Sequence, residues 1–207
     1  ASYSIEEDRE DVTASMEQKT KIEALHISMN LSSELGEVTR ELLTIYDIKK
    51  SSPPQDQDEF SYKTEPLLRR NAFLSSVYYI DTEQDLVLKA PEDSNSSPAA
   101  YEDNNSILEI AMIVADHTQK PYLSRPYEIT PGNYGYSLMV PYGNHSFFQL
   151  IFTCEDVFAQ DTSFRLDNEL LIQVMDDQKV VYTSEAYELE LSRSDRLLTS
   201  SRIKLYN

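Results

Sequence analysis

The sequence predicts an α+β protein: a long N-terminal helix, then short antiparallel strands with a further helix among them. Three observations predict it. Apolar residues recur at three- and four-residue spacing from Ile22 onward, with no proline from Ala1 through Ser52. Runs rich in Val, Ile, Tyr and Phe follow, punctuated by Gly, Asn, Pro and Asp. At 207 residues the chain can hide about 70% of its surface, and its 40% hydrophobic and 10% aromatic content supports a core and argues against disorder.

The elements follow in order. Residues 1–18 are polar, with acidic runs at Glu6-Glu7-Asp8 and Glu10-Asp11. Residues 19–49 carry a helical stripe of Ile22, Leu25, Met29, Ser32, Leu35, Val38, Leu42 and Ile45. A helix of about 30 residues is about 45 Å long. It either lies across the rest of the domain or forms a stalk that pairs with a second copy. Pro53-Pro54 ends it, because a proline disfavours helical geometry in the residue before it. Residues 51–64 read as an acidic connection and 65–71 as a short helix. A hairpin is expected from strands 73–81 and 86–89, then a surface loop over 90–106. Residues 107–117 are helical, with Ile107, Ile110, Ala111 and Val114 along one face and Pro121 closing the helix. Strands follow at 122–129, 134–141 and 146–153, with turns at Gly132 and Gly143-Asn144. A helix start is expected at 154–158, and strands at 170–175, 180–182 and 202–206.

Charge narrows the function classes. Thirty-six Asp and Glu against 18 Lys and Arg leave a net charge of −18. Such a chain repels phosphate backbones and anionic lipid headgroups, so nucleic acid is not an expected partner. Cys154 is the single cysteine, which excludes an internal disulfide framework. The apolar stretches fall far short of the roughly 20 residues that span a bilayer. The sequence opens Ala-Ser-Tyr without Met, which suggests a processed or engineered start.

The catalytic inventory is thin. His26, His117 and His145 form no HExxH or other close ligand spacing. No GxSxG elbow is present, and four glycines cannot supply a GxGxxG fingerprint plus turns. The pairs Glu92-Asp93, Glu102-Asp103, Glu155-Asp156 and Asp176-Asp177 are scattered and match no calcium loop. No catalytic residue, metal or cofactor is therefore expected. Asn-x-Ser sequons begin at Asn30, Asn95, Asn104 and Asn144, and chance produces such matches easily in Ser-rich sequence.

One ordered set of residues is more specific. Ala115, Thr118 and Lys120 end the second helix, Leu123-Ser124 and Pro126 mark the next strand, and Gly135, Leu138, Pro141 and Tyr142 mark another. Phe148 through Phe158 then runs strand into helix through Glu155-Asp156 and Val157. This order resembles the CHASE family, the extracytoplasmic sensor domains of membrane histidine kinases and diguanylate cyclases. The likeness covers roughly residues 20–207. Gln119 stands where glycine is usual, the Pro141-Tyr142-Gly143 turn is short, and the family's closing aromatic strand is absent.

The resemblance implies a stalk helix over 1–50, a membrane-distal antiparallel PAS-like ligand-binding subdomain over 51–160, and a smaller, truncated membrane-proximal PAS-like subdomain over 161–207. It implies a periplasmic sensor that binds a small molecule, pairs as a homodimer through the N-terminal helix, is anchored by flanking membrane helices, and signals to a kinase or cyclase. The alternative is a structural or dimerisation ectodomain whose pocket is filled by side chains. The expected pocket residues are Tyr79, Arg125, Tyr127, Tyr136, Ser137, Met139 and Phe148. In plant hormone-sensing relatives a small hydroxyl residue on the strand matching 134–141 contacts ligand, and by register that position is Met139. Arg125 offers a guanidinium to a ligand carboxylate, or else forms a surface ion pair with one of the many acids. Alternation puts Tyr134, Tyr136, Leu138 and Val140 on one face of their strand and Gly135, Ser137, Met139 and Pro141 on the other. Spacing leaves open which face lines the pocket.

Overall fold

The computed structural model describes residues 2–46, 53–93, 106–143, 145–160, 173–176 and 179–183. Its elements are α1 (Ser2–Ile45), α2 (Gln57–Arg70), β1 (Leu74–Asp81), β2 (Leu86–Ala90), α3 (Ser106–Thr118), β3 (Tyr122–Leu123), β4 (Tyr127–Thr130), β5 (Asn133–Gly143), β6 (Ser146–Thr153), α4 (Cys154–Gln160), β7 (Gln173–Asp176) and β8 (Lys179–Thr183). The α+β class stands: a long N-terminal helix and an antiparallel sheet. The expected strand at 202–206, most of the loop at 90–106 and most of the smaller subdomain lie outside the described residues.

The main sheet runs β2-β1-β6-β5-β3, with β4 also paired to β5. Every pairing is antiparallel. The chain makes β1 and β2 at one edge, crosses through α3, builds β3 to β5, and returns as β6 between β1 and β5. This insertion makes β6 the most enclosed strand, buried from Ser146 through Ile151 and Phe152. Thr153 then caps α4 directly: its Oγ1 accepts the Asp156 N–H at 3.0 Å and donates to the Asp156 carboxylate at 2.5 Å. That explains how the strand passes into the helix with no intervening loop.

Alternation sorts the core into two layers. On one face Val77 and Tyr79 of β1, Tyr136, Leu138, Val140 and Tyr142 of β5, and Phe148, Leu150 and Phe152 of β6 join the core cluster that contains α1 residues. On the other face Met139 and Phe147 pack with Leu108, Ala111 and Ala115 of α3. Ala111 and Ala115 are one turn apart, so the helix can lie close to the sheet. The expected α3 face is corrected accordingly. Ile110 is exposed and Ile107 only partly buried, while Leu108 and Ala115 face the sheet.

α1 departs from expectation at both ends. It is 44 residues long and includes the polar N-terminal run, because no proline or glycine precedes Gly36 and propagation of an existing helix is favourable. Its buried face is Ala24, Ile27, Leu31, Leu35, Val38, Leu42 and Tyr46. Ile22, Leu25 and Met29 are instead 47%, 59% and 61% exposed. At about 100° per residue the two sets lie on opposite sides of the helix. The stripe read from sequence joined the outer set to the lower half of the inner set at Ser32 and Leu35.

α2 is also longer than expected and replaces most of the supposed connection. Asp56 caps it by accepting the Glu59 N–H at 2.9 Å, and Phe60, Thr64 and Leu67 form its buried face. Pro66 sits inside the helix without ending it. The Arg70–Glu41 ion pair links α2 to α1. Gln57 performs a separate task at the sheet edge. Its amide accepts the Lys89 N–H at 3.0 Å and donates to the Lys89 carbonyl at 2.6 Å, as a neighbouring strand would. The outer edge of β2 is thereby covered at its centre.

Residues 122–129, expected as one strand, are two. β3 ends at Leu123 and β4 begins at Tyr127, and Pro126 between them has no N–H for a ladder.

Gly135 of β5 is required by close packing. A Cβ there would overlap the Phe152 carbonyl oxygen and the Ile129 side chain. The backbone carbonyl belongs to the β5–β6 ladder and cannot swing aside. Gly135→Ala is expected to destabilise the fold by about 1–3 kcal/mol, measured as a lower denaturant midpoint at unchanged m-value, whereas alanine at exposed Gly132, whose Cβ would meet nothing, acts only through its positive φ.

Candidate functional site

The seven expected pocket residues do not form one site. The sheet separates them. Tyr79, Tyr136 and Phe148 lie on the α1 side, and Tyr127, Ser137 and Met139 on the α3 side, where Tyr127 and Met139 pack with α3. Arg125 belongs to neither layer. Its side chain is 60% exposed and ion-paired with Asp176 of β7 at 2.7 Å. The surface ion pair, rather than a carboxylate grip inside a pocket, is what the structure displays for it.

The α1 side is an aromatic joint. Phe148 is its centre, with ring centroids 5.0 Å from Tyr46, 5.0 Å from Tyr142 and 5.3 Å from Tyr79. Tyr46 closes the end of α1 by placing its hydroxyl 3.0 Å from Thr64 Oγ1 and 3.3 Å from the Phe60 carbonyl. Burial raises its proton affinity to about 12, against a smaller opposing pull from Thr64. The wholly buried Tyr79 hydroxyl completes no hydrogen bond of good geometry, although Ser146 and Asp81 both bear on it. Burial is the main cause of its raised pKa. Tyr136 and Cys154 form a second pair on this side. Desolvation pushes the Tyr136 hydroxyl far up and the Cys154 thiol up to about 12, with Tyr136 as a hydrogen-bond partner of the thiol.

The α3 side holds the constellation with chemical content. Ser137 is fully buried and sits at its centre. Its hydroxyl accepts from Gln149 Nε2 at 2.9 Å and lies 2.7 Å from the Tyr127 hydroxyl. Its backbone N–H donates to Ser124 Oγ at 2.9 Å, and its carbonyl accepts the Ser124 N–H at 2.8 Å. Three strands and the β3–β4 corner thus converge on one serine. The groups are donors and acceptors without formal charge, suited to orienting a polar neutral group by hydrogen bonds. They satisfy one another, so a ligand binding here exchanges for these bonds rather than adding to them.

Gln149 and Ser124 were missed in the sequence. Gln149 did have a signal: it is the lone polar side chain in Phe147-Phe148-Gln149-Leu150-Ile151-Phe152. A polar residue in the middle of a strand buried on both faces must have a partner there. Ser124 stood in the Leu123-Ser124 and Pro126 pattern but was read as a strand marker, not as a site residue.

Two surface clefts lie elsewhere. One of about 380 Å³ is lined by Tyr46, Pro54, Asp56 and Phe60, between the end of α1 and the start of α2. A smaller one of about 90 Å³ is lined by Ile27, Leu31, Phe73 and Val157. Neither contains an expected pocket residue. Among the described residues, no three His, Cys, Asp or Glu side chains are grouped to hold a metal ion. All three histidines are exposed. No helix among the described residues is long and apolar enough to cross a membrane.

The sequence matches no protein-family model and no curated protein. Among solved structures it is similar to the Bacillus subtilis YkuI protein, a protein with an EAL domain, in complex with substrate c-di-GMP and calcium. That match has 16% identity and a TM-score of 0.40, covering 70% of this chain and 36% of YkuI. The chain therefore spans about a third of that protein. It is also similar to the ligand binding domain of the amino acid chemoreceptor PctB of Pseudomonas aeruginosa PAO1. In complex with L-Gln, that domain matches at 16% identity and a TM-score of 0.47, covering 80% of this chain and 67% of PctB's. In complex with L-Arg the values are 16%, 0.44, 83% and 67%.

The thiol gives a pH-dependent test. A group whose folded-state pKa lies above its unfolded value holds its proton longer when folded, so stability is lost as pH rises between the two. For Cys154 that window runs from 9.0 to about 12. Cys154 should resist iodoacetamide in the folded protein near neutral pH and react once the chain is unfolded. Denaturation curves should show stability falling above about pH 9, less steeply in Cys154→Ala. Rapid alkylation of the folded chain would contradict the buried, protonated thiol.

Proposed function

We propose that this chain is the extracytoplasmic ligand-binding sensor domain of a transmembrane signalling receptor, with the α3 side of the sheet as its ligand face. The observation that carries the reading is the buried Ser124–Tyr127–Ser137–Gln149 network. It brings uncharged donors and acceptors from three strands to one point beneath a helix. The CHASE-like order of Ala115, Leu123-Ser124, Pro126, Gly135 and Pro141 in the sequence supports the sensor class. The ligand is a small molecule with both donor and acceptor groups. Tyr127, Ser137 and Met139, of the residues expected from sequence, line the site, joined by Ser124 and Gln149. Ligand entry shifts α3 against the sheet, and the signal passes to a kinase or cyclase output beyond this chain.

The domain pairs with a second copy through the outer face of α1. Ile22, Leu25 and Met29 are exposed there at heptad-like spacing. Ser32 and Gly36 continue the same seam with small side chains, and a Cβ at Gly36 would meet nothing. Charge favours this surface for self-association. Residues 19–33 hold Lys19 and Lys21 against Glu23, a formal +1 in a chain of −18, so repulsion between copies is least there.

A second reading has its own observation. The aromatic joint around Phe148 fills the α1 side with side chains, which is what a structural or dimerisation ectodomain without a ligand would have on both sides.

Two experiments decide. In a thermal-shift screen against free amino acids and other small polar metabolites, at least one compound should raise the Tm. A compound at a hundred times its Kd adds about 2.7 kcal/mol. The response should vanish in Ser137→Ala and Tyr127→Phe and persist in Phe148→Leu. A response that survives Ser137→Ala places the ligand elsewhere, and no response across a broad panel favours the structural reading. Separately, Leu25→Asp should shift the sedimentation-equilibrium mass from dimer to monomer without changing the circular dichroism spectrum. A wild-type chain that sediments as a monomer would remove the dimer.

A further inference from the structure

The segment Ser124–Tyr127 is tied inward at both ends and outward in the middle. Ser124 exchanges two hydrogen bonds with the Ser137 backbone, one of them through its side chain. Tyr127 reaches the Ser137 hydroxyl. Between them, the Arg125 guanidinium donates through Nε at 3.2 Å and Nη2 at 2.7 Å to Oδ2 of Asp176. Pro126 makes this segment stiff. Its ring fixes its own φ and holds Arg125 in extended geometry, so the Arg125 backbone moves with its neighbours.

Asp176 is the last residue of β7 and pairs with Lys179, the first residue of β8. The hairpin is seated on the main core, with Val181 buried and the Tyr182 ring 5.5 Å from Phe158 of α4. Asp176 is also near enough to Tyr136 for its charge to act on that residue. Consecutive residues of β5 thus relate to both partners: Tyr136 feels the charge of the hairpin carboxylate, and Ser137 belongs to the network that positions Arg125.

We propose that Arg125 is a positioning residue that couples the buried Ser137 network to the β7–β8 hairpin. Rearranging the bonds to Ser137 moves Ser124 and Tyr127, and the stiff segment between them carries the Arg125–Asp176 pair along. The reverse holds too: displacing the hairpin strains the network. That a ligand is the natural trigger rests on the sensor reading above; the coupling itself is a property of this chain and is testable without one.

Hydrogen exchange of the hairpin, followed by mass spectrometry on the whole chain, tests it. Arg125→Ala and Asp176→Asn should each speed exchange across residues 173–183 by about two- to fivefold, the span expected for a partly exposed ion pair. Tyr127→Phe, which removes a single network bond, should also speed hairpin exchange, but only while Arg125 is present. Combined with Arg125→Ala it should add nothing. The charge reversal Arg125→Asp with Asp176→Arg should restore protection. Unchanged exchange in Arg125→Ala, additive effects in the double variant, or no recovery on charge reversal would each overturn the proposal. A failed ligand screen with intact coupling would count against the sensor reading alone.

Discussion

The two-sided burial of β6 is the constraint from which the rest of the sheet follows. Between β1 and β5, with α1 on one face and α3 on the other, it has no water to satisfy a polar side chain. Gln149 must therefore find its partner within the sheet, and leaving it unsatisfied would cost about 1–3 kcal/mol. It finds Ser137 on the neighbouring strand. Ser137 in turn draws Tyr127 and Ser124 inward. The chain between those two residues cannot then continue as one straight strand. The break at Ser124–Pro126, where Pro126 offers no N–H to a ladder, accommodates these bonds and leaves Arg125 aimed outward.

The same burial explains what the sequence revealed and what it concealed. Strand positions were legible because Tyr, Phe, Ile and Val cluster between Gly, Asn and Asp turns. β6 falls where residues 146–153 were expected, and β5 extends only one residue before and two residues after the expected 134–141. Face assignment was not legible. Alternation of polar and apolar residues identifies a pocket face only when one side is wet, and here both sides of β5 are buried from Gly135 to Val140. The expected site consequently mixed residues from opposite layers. The α2 helix was concealed by composition: the acids of residues 51–64 suggested a connection, while the Asp56–Glu59 cap and the Phe60–Thr64–Leu67 spacing carried the true signal. On α1, two apolar stripes on opposite sides were merged into one, because three- and four-residue steps connect them equally well at Ser32.

The two layers differ in kind. Around Phe148 the contacts are mainly aromatic and dispersive. Tyr46 shows the purpose: one ring touches Phe60 of α2 and Phe148 of β6, while its hydroxyl reaches Thr64, so the end of α1, the body of α2 and the sheet are fixed by one side chain. Around Ser137 the contacts are directional hydrogen bonds, which fix geometry and can be traded for bonds to another molecule. A layer held by aromatic packing thus lies back to back with a layer held by directional hydrogen bonds.

That arrangement limits how a change on the α3 side can reach other parts of the fold. A close-packed interior transmits strain but resists small local motion, and β5 is held by ladders to β6 on one side and to β3 and β4 on the other. Moving α1 in response to Ser137 would require shifting the whole β5–β6 pair against the aromatic joint, which disturbs many contacts at once. The β3–β4 corner is a softer route. It is attached to β5 by short ladders at each end, and its link to the hairpin is a partly exposed ion pair, 60% and 32% open at the two side chains. Exposed pairs of this kind contribute about 0.2–1 kcal/mol, small enough to be broken and remade by the exchange of a single buried hydrogen bond. Interactions of similar size can compete, whereas the aromatic joint is too strong to respond to so small a change. The hairpin, not the long helix, is therefore the element whose position the Ser137 network can bias.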